Sequence, residues 1–478
     1  MDRKQPPQWV VRWKFGLRTD RYRNSLVKKF SKITPPPLTN PRRERHHGLK
    51  FSPHVLLLPV ISSPDSDLMR LPTVSQLTLL LISAPIAALA ASGTVMRTIH
   101  SQPSCVIATK QVEVAITRRG GHMAPVTFFR DSDRPVQPYH ITPWQDEKPS
   151  AMPAPVLVTL RGDFFCLPFG GNSEPVAGEK HPPHGEIVGE PWKVLGTRRT
   201  GTVTTLTLDI ETRVRAGRVT KELSLVDGEN AVYTRHTLQG FSGRAPVGHH
   251  ATLAMPEKEE SVRIATSAFR WGMTCPSVFS DPKQREYQSL LPGAQWTDLT
   301  RVPVAWKGAP DADLTRLPAR YGHADLVQLF NESWDKTGGP AWTTATFTEQ
   351  GYLWFALKDP AVLHSTVLWI ENHGRHGHPW KGRNNCLGLE DVTAYFADGL
   401  AASTQDNLLT RQGIPTSLAL SPTQPTSVNY IQGVARIPSG FDVVQKLEFA
   451  PGAVTFLSTS GQRVTIAVHH EFVRTGTL

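Results

Sequence analysis

Residues 106–478 predict an all-β fold, a large antiparallel β-sandwich with few short helices. Three observations carry this. Short segments alternate apolar and polar residues with the period of two that a half-buried strand requires. Forty prolines and 36 glycines punctuate the 478-residue chain, as frequent turns demand. No strand–helix–strand alternation is visible, which argues against a parallel sheet.

Along the chain, QVEVAIT (Gln111 to Thr117) alternates regularly, and TVTTLTLDI (Thr202 to Ile210) and RVTKELSLV (Arg218 to Val226) are rich in Val, Thr and Leu. Asp227-Gly228-Glu229-Asn230 is a turn, and Ala231 to Leu238 is the strand that returns from it as a hairpin. Further strands are predicted over Trp342 to Phe347, Tyr352 to Leu357 and Ser365 to Glu371. Near the end come Asp442 to Phe449, Ala453 to Leu457 and Val464 to His469. Short helices are predicted at Pro282 to Leu290 and Asp391 to Ala401. No repeat or linker divides this stretch, so residues 96–478 read as one domain.

The N-terminus differs. Residues 1–68 hold 14 Lys/Arg and 5 Asp/Glu, leaving 38 basic and 36 acidic residues for the remainder. The net charge of +11 thus belongs mostly to the leader, and the body has no excess that calls for nucleic acid. With Pro35-Pro36-Pro37 and Arg42-Arg43-Glu44-Arg45 and no hydrophobic periodicity, the leader is expected to be disordered, and it could lie upstream of the native start. Residues 69–95 resemble a signal peptide. Met69-Arg70 supplies a charged start, Leu77 to Ile82 an apolar run, and Ala88-Leu89-Ala90 a small-residue cleavage site. Pro85 and the small residues do not suit a membrane-spanning helix, so no stable membrane insertion is expected. A start at Met69 implies export; a start at Met96 implies a cytoplasmic protein. Cys105, Cys166, Cys275 and Cys386 form no C-x-x-C pair and read as buried thiols.

Three segments place polar residues inside apolar or glycine-rich runs. The first, LRGDFFCLPFGGNSEPVAGEKHPPHGEIVGEPWKV, carries Arg161, Asp163, the turn Pro168-Phe169-Gly170-Gly171, and His184-Gly185. The second is PVGHHATLAMP, with His249 and His250. The third is LWIENHGRHGHPWKGRNNCLGLED, with Trp369, Glu371, Asn372, Trp380 and Glu390. Their order resembles that of the aldose-epimerase (galactose mutarotase-like) superfamily, with the pattern nearest to its hexose-phosphate mutarotases. There an Arg-Gly-Gly run, a Pro-aromatic-Phe-Gly turn, His-Gly, a His on a strand, and a Pro-Trp loop before a Glu-bearing strand follow one another. The match covers about three quarters of the chain. Asp163 and Glu186 depart from the pattern where the superfamily has Gly and an aromatic-Ala-Arg stretch, which argues against a phosphorylated substrate.

The resemblance implies a mutarotase-like supersandwich and a sugar isomerase, with a small-molecule sugar as its partner and no cofactor. Glu390 would be the base and His250 the acid of ring opening and closure. His184, Arg161, Trp380 and Asn372 would bind substrate. Each assignment has a plainer alternative: His184 as an exposed loop residue, His250 as a core histidine, Glu390 as the cap of a helix beginning near Asp391. Glu371 is the rival carboxylate. His373, His376 and His378 have spacing that invites a metal, but Arg375 and Lys381 among them would repel a cation, so no metal is expected. Two further readings use the same fold: a non-catalytic carbohydrate-binding protein, and an accessory domain of a polysaccharide lyase or hydrolase. The absence of an added helical region counts against the last.

Overall fold

The computed structural model describes residues 94–148 and 150–478. The basic leader, and the signal-like segment up to residue 93, lie outside the described residues. Residues 94–478 fall within one compact unit.

The all-β antiparallel expectation is borne out. A nine-stranded sheet runs, in spatial order, through Arg316–Leu317, Val262–Thr266, Ala341–Phe347, Tyr352–Lys358, Thr426–Arg436, Ala231–Gln239, Gly217–Val226, Val203–Thr212 and Lys193–Thr200. An eight-stranded sheet faces it. Its order is Gln295–Trp296, Phe269–Thr274, His323–Asn331, Ser365–Asn372, Asn385–Thr393, Val247–His249 and Phe165–Cys166, with Ala251–Ala254 also paired to Asn385–Thr393. Smaller sheets of four strands (95–127) and three strands (444–467) flank them. The Asp227 turn joins Gly217–Val226 to Ala231–Gln239 as expected, with Gly228 at φ 87° supplying the left-handed position.

Both predicted helices are corrected. Over Pro282 to Leu290 only Pro282–Gln284 forms a helical turn, ended by Arg285 at φ 66°. Over Asp391 to Ala401, Asp391 to Thr393 complete a strand, and only Leu400–Thr404 is helical, entered through Gly399 at φ 86°. Among the described residues no helix is long and apolar enough to cross a membrane. All four cysteines are buried and free.

The core between the two large sheets is rich in apolar side chains and holds two polar knots that bear on the site. In one, Asp391 accepts from Lys358 Nζ (2.6 Å), Thr366 Oγ1 (2.7 Å) and Tyr430 OH (2.7 Å). In the other, Asp163 Oδ2 lies 2.9 Å from His249 Nδ1 and accepts from Gln432 Nε2 at 2.8 Å. The Asp391 carboxylate is thereby partnered on both oxygens, whereas in the second knot Asp163 Oδ1 and His249 Nε2 have no hydrogen-bond partner within the chain.

Candidate active site

Strand parity assigns the polar residues to opposite faces. Thr366 pairs with Asp391 and both face the nine-stranded sheet, so Val367, Trp369 and Glu371, with their partners Glu390, Gly388 and Cys386, face away from it. On the next strand, Gly248 pairs with Val392 and Ala251 with Leu389, so the continuing register sets His250 opposite Glu390. His249 points inward to Asp163, and His250 outward to Glu390.

His250 Nε2 and Glu390 Oε1 are 3.1 Å apart. The ring's Nδ1 lies 3.1 Å from Thr252 Oγ1, a hydroxyl that can either donate or accept, so either imidazole tautomer is satisfied. Both residues are buried, His250 5% and Glu390 2% exposed. Burial drives the Glu390 carboxyl well above the usual carboxylate range and pushes His250 well below that of a free imidazole, with the neighbouring His184 adding to the latter. Both shifts act in the same direction, favouring the neutral forms of a pair that shares one exchangeable proton.

Aromatic rings build the walls. Phe164 stacks on His250 (4.5 Å between ring centroids) with one face and on His122 (4.3 Å) with the other. Trp369 meets His250 edge-on at 5.7 Å, and Trp380 continues the wall 5.8 Å from Trp369. His184 lies 5.1 Å from His250, half-buried between Phe169 and Phe164. Burial lowers its pKa to about 4.

Local backbone explains the His-Gly pair. His184 is itself left-handed (φ 62°), and its N–H donates to Gly170 O at 2.7 Å. At Gly185 (φ 85°) a Cβ would stand 1.9 Å from Leu167 O, so only glycine fits against the Pro168 turn. Asn172 clasps this arrangement: its amide donates to Pro168, Gly170 and Pro182 carbonyls, and its Oδ1 accepts from Leu400 N.

Of the six residues singled out in the sequence, His250, Glu390, His184 and Trp380 converge. Arg161 and Asn372 do not join them. The Arg161 guanidinium donates to Ile99 O (3.0 Å), His100 O (2.9 Å) and Gln145 Oε1, so it is held by the hairpin turn at residues 99–100 and by Gln145. Asn372 has the parity of Ile370 and so lies on the face opposite Trp369 and Glu371, with its amide given to Ala319 O at 2.6 Å. Glu390 sits within a strand, which removes the helix-cap alternative. Glu371 shares its face, but its Oε1 accepts from Arg375 N (2.9 Å). Burial raises the Glu371 pKa to about 7. The carboxylate of Glu186 is taken by the backbone N–H groups of Arg213 and Val214.

His122 was not singled out. It is fully buried, its Nε2 is 3.0 Å from Val188 O, and burial lowers its pKa to about 3. Its partner Phe164 is distant in sequence, so local pattern gives no signal for it.

His373 and His378 go to different partners. His373 contacts Gly382 O and Glu257, while His378 Nε2 lies 3.1 Å from Ala151 O. Among the described residues no group of three or more His, Cys, Asp or Glu is placed to hold a metal ion. A surface cavity of about 470 Å³ lies elsewhere, lined by Met96, Arg118, Trp192 and Val194 among others. It contains none of the cluster residues and no acid–base pair, so the chemistry points to the buried His250–Glu390 pair instead.

No family model and no curated protein matches the chain. Solved structures of similar fold include a galactose mutarotase-like protein from Clostridium acetobutylicum (12% identity, TM-score 0.47, 72% of this chain and 99% of that one). Another is a galactose mutarotase related enzyme from Lactobacillus acidophilus (12% identity, TM-score 0.44, 70% and 99%). A TPR-domain containing protein from Parabacteroides distasonis is also similar (12% identity, TM-score 0.44, 73% and 50%). Each of these likenesses is at 12% identity and a TM-score of 0.47 or less.

Proposed function

We propose that the protein is a sugar isomerase of aldose-epimerase type, interconverting the anomers of an aldose. The observation that carries this reading is the buried His250–Glu390 pair, 3.1 Å apart and enclosed by Phe164, Trp369 and His184.

Ring opening needs one proton removed from the anomeric hydroxyl and one delivered to the ring oxygen. In its charge-separated form the pair offers a carboxylate and an imidazolium. Glu390 takes the hydroxyl proton as the carbonyl forms at C1. The bond from C1 to the ring oxygen breaks, and His250 Nε2 protonates that oxygen. The pair is left neutral, with its proton count unchanged. After rotation about C1–C2, the ring recloses on the other face with the roles reversed. Thr252, able to donate or accept at Nδ1, lets His250 exchange its Nε2 proton without losing a hydrogen bond. In this reading His184, 5.1 Å from His250, holds a sugar hydroxyl. The sugar's apolar face suits the Trp369 and Phe164 rings.

NMR exchange spectroscopy on a panel of aldoses tests this reading. Catalytic amounts of protein are expected to accelerate anomer exchange of at least one sugar. Saturable binding of a sugar with an unchanged exchange rate would instead make the protein a non-catalytic carbohydrate binder.

Gly388 offers a second check. A Cβ there would sit 2.6 Å from Glu390 Oε1 and 3.0 Å from Trp369 Cβ. Gly388→Ala is expected to push the carboxylate off His250 and to lower the exchange rate by about tenfold or more, within the range of lost acid–base help. The thermal midpoint should move far less than for a core truncation. An unchanged rate in a folded variant would show that the present position of Glu390 is immaterial.

A further inference from the structure

Around the His250–Glu390 pair, the outward face of the eight-stranded sheet carries three buried polar atoms with no hydrogen-bond partner among the described residues. They are His140 Nε2, Trp369 Nε1 and Glu371 Oε2. Pairing fixes their places. His140 N donates to Thr252 O (3.0 Å), Ala254 N donates to Pro138 O (2.9 Å), and Tyr139 pairs with Leu253 between them. Tyr139 points inward, where its hydroxyl donates to Gln432 Oε1 at 2.7 Å, so His140 points outward. Thr252 pairs with Gly388, and Gly388 with Trp369. His140, Thr252, Gly388 and Trp369 therefore form one row across the sheet. The next row holds Phe164, His250, Glu390 and Val367, while Glu371 lies two residues beyond Trp369 on the other side. His140 and His250 are thus diagonal neighbours, about 7–8 Å apart in such a grid.

Three unsatisfied atoms in one place call for a cause. A buried donor or acceptor gives up its water on folding, and most such groups regain a partner. Arg375 Nε, the nearest cation to Glu371 Oε2, stands 3.8 Å away, beyond hydrogen-bond reach. Burial lowers the His140 pKa to about 4, so its ring is neutral and offers one donor and one acceptor. The Trp369 indole adds a donor and Glu371 a carboxyl oxygen. An apolar ligand would leave all three unpaired, whereas a ligand with several hydroxyl groups pairs with each. His140, His184 and Trp380 are only half-buried, so solvent comes to the residues that border the pair.

We propose that His140, Trp369 and Glu371 are the hydroxyl-binding groups of the site and hold a polyhydroxylated ring against His250 and Glu390. This rests on the sugar reading of that pair. The three set affinity and take no part in moving the reacting protons. In the free protein they work against stability, as groups kept for binding do.

His140→Phe separates binding from proton transfer, because it removes the unpartnered nitrogen and keeps a ring. His140→Gln is its milder companion, since the amide can still donate and accept. Anomer exchange and saturation-transfer NMR are run with D-glucose, D-galactose, D-xylose and L-arabinose on the full chain and both variants. For at least one of these sugars KM is expected to rise about tenfold in His140→Phe, with kcat changed less, and His140→Gln should recover part of the loss. In the unaltered protein, the nitrogen resonance of His140 Nε2 should move on saturation with that sugar; a resonance that stays in place overturns the proposal. If exchange is accelerated and His140→Phe keeps the same KM, His140 is no part of the binding set, while the isomerase reading stands. If a sugar binds without faster exchange, the isomerase reading fails, and Kd decides the proposal: about tenfold weaker binding in His140→Phe upholds it and equal binding overturns it. If none of these sugars binds, the proposal falls together with the sugar reading.

Discussion

Glu390→Gln is expected to lower the anomer exchange rate by about 10²–10⁴-fold, the usual worth of a positioned acid–base group. The substitution keeps shape and hydrogen-bonding capacity next to His250 but removes the exchangeable proton. The effect should therefore fall on kcat, with KM little changed. A folded variant that kept the wild-type rate would remove Glu390 from the chemistry and leave the buried Glu371 as the remaining carboxyl on that face.

The same pair sets the pH dependence. Burial holds the Glu390 pKa well above 4.5 and the His250 pKa well below 6.5. Because the two are in contact, the proton losses belong to the pair. Activity should fall at high pH when the pair's one proton leaves, and at low pH when a second is taken up, with a broad plateau between. Stability follows the same signs. Glu390 has a raised folded pKa, so its contribution is fully present below pH 4.5 and is lost as pH rises through the folded value. His250 has a lowered folded pKa, so its contribution is present above pH 6.5 and is lost as pH falls. The pair is most favourable to folding between about pH 4.5 and 6.5. Denaturation curves at several pH values should show the alkaline decline reduced in Glu390→Gln. An identical alkaline slope in both proteins would mean that Glu390 is ionised in the native state.

Much of this was legible in the sequence, for physical reasons. The long strands carry alternation that only a sheet with one wetter face requires, so Val203–Thr212, Gly217–Val226 and Ala231–Gln239 could be placed nearly to the residue. The segments that carry Glu390 and His250 stood out because an apolar run does not want a carboxyl or an imidazole, while the choice of these two over Glu371 and His249 came from the resemblance in motif order. Asn372 misled because its polarity was read without parity, and one step along a strand changes the face. Arg161 misled because its partners, the carbonyls of residues 99 and 100, belong to a hairpin whose docking no local pattern records. His122 was missed for the same reason, since only the folded chain brings it onto Phe164. The predicted helix from Asp391 failed because that residue's carboxylate has three donors waiting across the core, and tertiary partners outweigh local helix preference.

Those donors make Lys358→Met the substitution with the largest expected effect on stability. Lys358 and Asp391 are both nearly inaccessible, 1% and 2% exposed, and their charged atoms are 2.6 Å apart. Lys358 Nζ also donates to Ser365 O (2.6 Å) and Thr366 Oγ1 (2.8 Å), so its charge is fully engaged. Removing the ammonium leaves a carboxylate between two sheets with only the Thr366 and Tyr430 hydroxyls to hold it. Breaking one side of such a pair costs about 3–5 kcal/mol, because the surviving charge keeps its desolvation penalty and loses its counter-charge. Replacing both together, Lys358→Met with Asp391→Leu, should recover much of that loss, since neither charge then remains to be desolvated. Urea unfolding of the two single variants and the double variant measures the coupling. A single Lys358→Met within about 1 kcal/mol of wild type would place the pair among weak surface-like bridges and contradict its burial. The consequence reaches the cleft, because Asp391 and Glu390 are neighbours on one strand and point to opposite faces of the sheet. Anchoring Asp391 to Lys358, Thr366 and Tyr430 fixes the backbone that aims Glu390 at His250. Lys358→Met should therefore also slow anomer exchange under conditions where the protein remains folded, although Lys358 itself lies on the far side of the sheet from the pair.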